Sequence, residues 1–293
     1  MLQSVPGTGV DAARGAGNTP VHQLNLRIER GRYSIERQDP PWKVVRAFAH
    51  ARPALVHLHN VSGGVLGGDR LALDVEVGDG AAAQITTTGA TRLYRHRAGS
   101  ADSQQTARFH VADDAELEYL PDPVIPYAGS RHSLSTEVHL GRGATVFWWD
   151  VLAPGRLGAG ERFSFERLEV HNKISVLGRP VLREDYRLEP AQRDLAATAR
   201  MHQSSYMATL YALQEGRPAE FWRGLEDRLN ELARQWTRPG EGAWGASTLT
   251  SHGILVRGLT VSGRFTHKPL MNFWRAARLA ITGTDAAPPR KTY

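Results

Sequence analysis

Residues 60–96 read NVSGGVLGGDRLALDVEVGDGAAAQITTTGATRLYRH, and this stretch decides how the rest of the chain is interpreted. Two glycine pairs, Gly63-Gly64 and Gly67-Gly68, lead through Asp69 directly into Leu71, Leu73, Val75 and Val77. Glycine takes positive φ and lets other atoms come close to the backbone, so the loop predicts a tight bend without side chains. Arg70, Ala72, Asp74 and Glu76 fill the alternate positions of the following segment, the period of a half-buried β-strand. Gly78-Asp79-Gly80 makes a second turn, and Ala81 to Thr88 runs on to Thr86-Thr87-Thr88-Gly89. A phosphate-binding glycine loop stands between a strand and a helix. This one enters a strand and lacks a Gly-Lys-Ser/Thr ending, which argues against a nucleotide cradle.

Outward from this stretch the strand pattern persists. Upstream, Gln23–Glu29 alternates, Gly31-Arg32 predicts a hairpin turn, and Trp42–Ala49 and Ala54–His59 read as short strands after Pro40-Pro41. Downstream, Phe109, Val111, Leu117 and Tyr119 continue the extended pattern. Pro121, Pro123 and Pro126 mark an edge or crossing segment, because proline cannot sit in a central ladder. Ser133–Leu140, Ala144–Val151 and Phe163–Leu188 are further strands, with Trp148 and Trp149 on opposite faces. Helical spacing takes over at Ser204–Leu213, Ala219–Trp236 and His267–Ile281, with a strand at Gly253–Val261. No internal repeat stands out. The expected fold is mainly β, with many short strands in packed or solenoid-like sheets and two or three helices in the C-terminal third. Residues 1–20 are expected to be a disordered tail. Residues 21–285 form one domain, helical at about 203–238 and 267–282, and 286–293 a second tail.

Charge and composition narrow the function. The 293 residues carry a net charge of +6, and the basic groups are scattered among acids with no cationic run, which argues against a nucleic-acid footprint. The absence of cysteine removes disulfides, thiolate metal sites and thiol nucleophiles. No apolar run reaches the roughly 20 residues of a membrane span and no signal peptide is evident, so a cytoplasmic location is expected.

Two groups of residues carry candidate chemistry. His57 and His59, at i and i+2 on a strand, project from one face and can present two imidazoles to one divalent ion, or simply be strand histidines. Asp150, Arg156, Glu161 and Arg162 surround a glycine-rich loop. Carboxylates beside arginines stay ionised, which suits a structural ion-pair network or a polar passage for a cation. No Gly-x-Ser-x-Gly elbow is present. The alternative enzymatic reading is a β-rich metal-dependent hydrolase with Asp69 or Glu161 as general base.

Taken in order, Gly63-Gly64, Gly67-Gly68-Asp69, Thr86-Thr87-Thr88-Gly89, Thr91–Arg95 with Tyr94, Leu120-Pro121 to Ile125-Pro126, Trp148-Trp149-Asp150, and Gly155-Arg156 with Gly160-Glu161-Arg162-Phe163 resemble the urease accessory protein D family. The resemblance covers roughly Gln23 to Ala280. It implies a non-enzymatic scaffold that binds apo-urease with the accessory F protein and the accessory G GTPase. Nickel would be in transit, and no cofactor would be tightly held. Matched to the family's motifs, Asp69, Asp150 and Glu161 would line the nickel route, although the family usually has Glu where Asp150 stands. Gly63, Gly64, Gly67, Gly68, Thr87, Arg156 and Arg162 would shape the fold around it. The C-terminal helices, with Trp and Arg expected on their surface, would contact the F protein.

Overall fold

A computed structural model describes residues 20–48 and 53–289. Most of the expected N-terminal tail and the end of the C-terminal one lie outside the described residues. The chain runs β1 (Val21–Glu29), β2 (Arg32–Gln38), β3 (Trp42–Phe48), β4 (Ala54–Asn60), β5 (Arg70–Val77), β6 (Ala82–Thr87), β7 (Thr91–Leu93), β8 (Ser103–Val111), β9 (Glu116–Tyr119) and β10 (Val124–Pro126). It continues with β11 (Arg131–Leu140), β12 (Thr145–Leu152), β13 (Arg167–Val176), β14 (Arg179–Leu188), β15 (Tyr206–Gln214), α1 (Ala219–Trp236), β16 (Gly242–Thr248), β17 (Gly253–Thr260) and α2 (Gly263–Thr282).

From β4 to β13 the chain winds as a solenoid, each coil placing one strand in each of two facing sheets. β1, β5, β8, β11 and β13 pair in parallel in a seven-stranded sheet that β2 and β14 complete as antiparallel edges. β4, β6, β9 and β12 pair in parallel in a ten-stranded sheet. The three-proline segment supplies β10, which joins β7 and β12 off the main ladder, the crossing role that missing N–H groups allow.

A short repeat that does not stand out in the sequence is visible in the structure. Val77-Gly-Asp-Gly80-Ala81, Val111-Ala-Asp-Asp114-Ala115 and Leu140-Gly-Arg-Gly143-Ala144 are the same turn used on three coils. Gly80, Asp114 and Gly143 all take positive φ, a slot that glycine and aspartate fill at least cost. Ala81, Ala115 and Ala144 are each buried beneath their turn. The turns stack through Gly80 N–H to Asp113 O at 2.9 Å and Asp114 N–H to Arg142 O at 2.7 Å. A repeat only five residues long is easily lost among strands whose other positions vary.

One apolar core fills the space between the sheets, and a second lies between the outer face of the larger sheet and the two helices. Trp148 belongs to the first and Trp149 to the second, as their alternation requires. β15 explains the one misassigned element: where a helix is expected over Ser204–Leu213, Tyr206–Gln214 is a strand. Tyr211 and Leu213 face the inner core while Ala208, Leu210 and Ala212 face the helices. A strand covered on both faces loses its polar alternation and resembles a buried helix. β16, too rich in Gly and Ala to be read from pattern, is held where the Trp244 ring lies on Gly258; a Cβ there would come within 2.4 Å of the indole.

α2 begins at Gly263, before the expected His267. Its Trp274 and the Trp222 of α1 are buried against the sheet rather than exposed, Trp236 is half-buried, and Arg223 and Arg275 remain exposed. Arg278 of α2 reaches down to Glu116 and Glu118 of β9. Burial under the helix pushes Glu118 up to about 7 even with this cation against it.

Candidate functional site

Short repeated turns close one end of the solenoid, and long connections close the other. The glycine loop, the β7–β8 and β10–β11 connections and the β12–β13 loop all emerge at that second end, where most of the sequence motifs gather. The glycine loop owes its composition to close packing. Val65 N–H donates to Arg92 O at 2.8 Å and Tyr94 N–H to Val65 O at 2.9 Å. A Cβ on Gly64 would fall 2.5 Å from the Tyr94 ring and 2.6 Å from Arg92 O, and one on Gly67 2.8 Å from Ser100 Oγ. Gly63 and Gly68 take positive φ. Asp69 closes the bend by accepting from Leu66 N–H at 2.9 Å. Thr87 latches β6 to the proline segment, accepting from Asp122 N–H at 2.8 Å and donating to Asp122 Oδ2 at 3.2 Å.

The four residues expected around the β12–β13 loop do not converge. Arg156 and Glu161 form a two-pronged ion pair, with Nε to Oε2 at 3.0 Å and a second contact from Nη2 to Oε1. Glu161 also accepts from Ala128 N–H at 3.2 Å. The Arg156 hydrogen bond holds its carboxyl below the ordinary range. Arg162 turns the other way and binds Ser205 Oγ at 3.1 Å and the carbonyls of His202 and Ser204 at 3.2 and 2.9 Å.

Asp150 stands apart, in β12 and between the sheets, and no arginine among the described residues pairs with it. Trp148 Nε1 donates to its Oδ1 at 2.9 Å and Asn172 Nδ2 to its Oδ2 at 3.0 Å. Burial nevertheless dominates and pushes its pKa up to about 7, the reverse of the lowered value expected for a carboxylate near arginines. The carboxylate lines a cavity of about 60 Å³ shared with Tyr119, Tyr186, Tyr211 and Asn172. At the ~10–15 Å³ that one water occupies on such a measure, about four would fit. Burial raises all three phenols, so they remain neutral hydrogen-bonding groups.

From Asp150 a polar chain runs to the sheet edge. Asn172 Nδ2 is 3.1 Å from the Tyr211 hydroxyl, which donates to Glu184 Oε2 at 2.5 Å, and Arg257 caps Glu184 at 2.6 Å. Two neighbouring cavities adjoin the central one through shared walls. One of about 170 Å³ reaches His59, Gly63 and Gly64 and shares Thr91, Gln105 and Tyr119 with it. The other, of about 120 Å³, reaches His267 and shares Pro121, Asp122 and Val151. Neither Asp69 nor Glu161 lines any of the three.

Asn172, Tyr211, Glu184 and Asp122 escaped the sequence reading. The available signal was a polar residue at an inward strand position, as for Asn172 between Val170 and Ile174. His57 is buried on β4, and His59 bonds Thr88 Oγ1 at 2.6 Å. Among the described residues no three His, Asp or Glu side chains are grouped to hold a metal. The hydrolase reading therefore gains no geometry, since Asp69 and Glu161 are both tied to the chain around them. No helix among the described residues is long and apolar enough to cross a membrane.

Fold and interior together define a helix-backed β-solenoid scaffold whose core is interrupted by a largely apolar cavity into which a few polar groups, Asp150 among them, project. The family model described as UreD urease accessory protein matches residues 22–293. The urease accessory protein UreD of Herpetosiphon aurantiacus is 38% identical over 271 residues, covering 92% of this chain and 94% of the relative. The UreD of Delftia acidovorans is 31% identical across 99% of both chains, and that of Opitutus terrae 33% identical across 88% of both. The chain belongs to the UreD family of urease accessory proteins, and its role lies in urease maturation.

Proposed function

We propose that the chain is a non-enzymatic adaptor that binds apo-urease with the accessory F protein and the G GTPase in the cytoplasm and passes nickel toward the urease site. It acts without nucleic acid or membrane. The observation that carries the nickel step is Asp150, set in the middle of three adjoining cavities with a pKa near 7. A carboxylate poised there exchanges its proton for a cation, since metal ligands must shed protons to bind. The nearby donors are oxygens and an amide, with no thiolate in the chain to trap nickel. An ion would be held weakly enough to leave. Asp122, shared by two of the cavities, is the second carboxylate on this route.

Within this proposal Asp69 and Glu161 act at its margin. Asp69 fixes the glycine loop that walls one outer cavity, and Glu161 fixes the loop that follows β12. The test is reconstitution with apo-urease and the F and G proteins, counting bound nickel and urease activity. Asp150→Asn and Asp122→Asn should leave the complex assembled and lower activation at least tenfold. Full activation by the double variant would refute the route, and failure of the wild-type chain to capture apo-urease would refute the adaptor.

A further inference from the structure

At the loop end of the solenoid, the connections of four successive coils line one open recess of about 520 Å³. Arg95, Arg97 and Arg156 face it, against Glu161 as the single carboxylate of the lining. Glu161 is already paired with Arg156. Arg95 has a long contact of 3.5 Å to Ala128 O, and the Arg97 guanidinium has no hydrogen-bond or ion-pair partner among the described residues. Tyr94 and Tyr127 meet edge to face at 5.2 Å, with the Arg156 guanidinium 4.4 Å above the Tyr127 ring. Leu66, 44% exposed, adds an apolar wall.

We propose that this recess is a docking site for an acidic segment of a partner protein. A carboxylate of that segment sits between Arg95 and Arg97, and an adjacent apolar side chain rests on Leu66 and Tyr94. Guanidinium forks match carboxylates in pairs of parallel hydrogen bonds. A free oxyanion would leave Leu66 and both tyrosines uncovered in a recess this large, and the excess of arginine repels a metal cation. The site is therefore distinct in chemistry from the Asp150 cavity and stands without the nickel reading. It also gives the glycine loop a purpose, since Asp69 holds the turn that presents Leu66.

The experiment tiles the urease subunits and accessory proteins as labelled peptides and titrates each against the full chain. At least one acidic peptide with an apolar residue should bind, more weakly as salt rises. Arg97→Glu and Arg95→Glu should each weaken it at least tenfold at unchanged melting temperature, and Arg97→Lys should restore part of the loss. Binding indifferent to both reversals would overturn the site, as would the absence of any bound peptide. Inorganic phosphate binding in an Arg97-dependent way while every peptide fails would also overturn it, in favour of an oxyanion site.

Discussion

Asn172 on β13 donates its side-chain amide to Asp150 on β12 at 3.0 Å, a hydrogen bond that crosses the interior from one sheet to the other. It is the contact through which a buried carboxylate acquires a second donor, and through which the cavity wall stays polar on the side of the seven-stranded sheet.

Replacing Asn172 with Leu keeps its branched shape and removes that donor. Asp150 Oδ2 then lacks a protein partner, at a cost of about 1–3 kcal/mol. The loss should be visible in denaturant unfolding at neutral pH and smaller in acid, where Asp150 is protonated. Equal loss at both would show that packing, not the carboxylate, sets the effect.

Burial raises Asp150 from an ordinary value of 3.8 to about 7 in the folded chain. Between those values the folded state binds more protons than the unfolded one, so this group's contribution is complete below about pH 4 and lost as pH rises through about 7. Asp150→Asn should therefore gain on the wild type with rising pH, by at most about 1.4 kcal/mol per unit. Glu118, raised in the same direction, is present in both proteins and cancels. A stability difference that stays constant from about pH 5 to about pH 8 would contradict the assignment.

Gly64→Ala places a methyl against the Tyr94 ring and, more rigidly, Arg92 O. The glycine loop must separate from β7, at about 1–3 kcal/mol. Gly89→Ala meets nothing within 4 Å and has no positive φ, so it should melt with the wild type. Matching melting temperatures for all three proteins would show that the loop packs less closely than described.

Arg278→Met removes the cation from Glu118 beneath α2, and the carboxyl, already raised to about 7 beside Arg278, takes up a proton and loses its hydrogen bonds to the guanidinium, at about 1–3 kcal/mol. Adding Glu118→Leu should recover most of that stability, because the buried carboxyl that lost its partner is then gone. A double variant as unstable as the single one would place the loss in packing or in the Arg278 contacts to Thr282 and Thr284.

β1 and the second half of β5 were legible because they bury alternate positions, and the sequence pattern records that directly. β15 was not, since two cores cover it and nothing in Tyr206–Gln214 marks which side is solvent. The site divided in the same way. Asp69 and Glu161 were found by their glycine-rich surroundings and proved to be held by local partners, Leu66 N–H and Arg156. Asp150 was found by its place after the tryptophans, but its environment was read with the wrong sign because the nearby arginines in sequence point elsewhere in space.

By itself the sequence determined the β character, the turns, the two true helices, the lack of thiol chemistry and the family resemblance, because each depends on residue type and short-range period. Only the tertiary structure decided that three short turns stack into a solenoid, that Asn172, Tyr211 and Glu184 lead to Asp150, and that arginines from two loops share one recess. Those relations join residues distant along the chain through parallel pairing, whose register is set by the packing of whole coils and leaves no mark in any one segment.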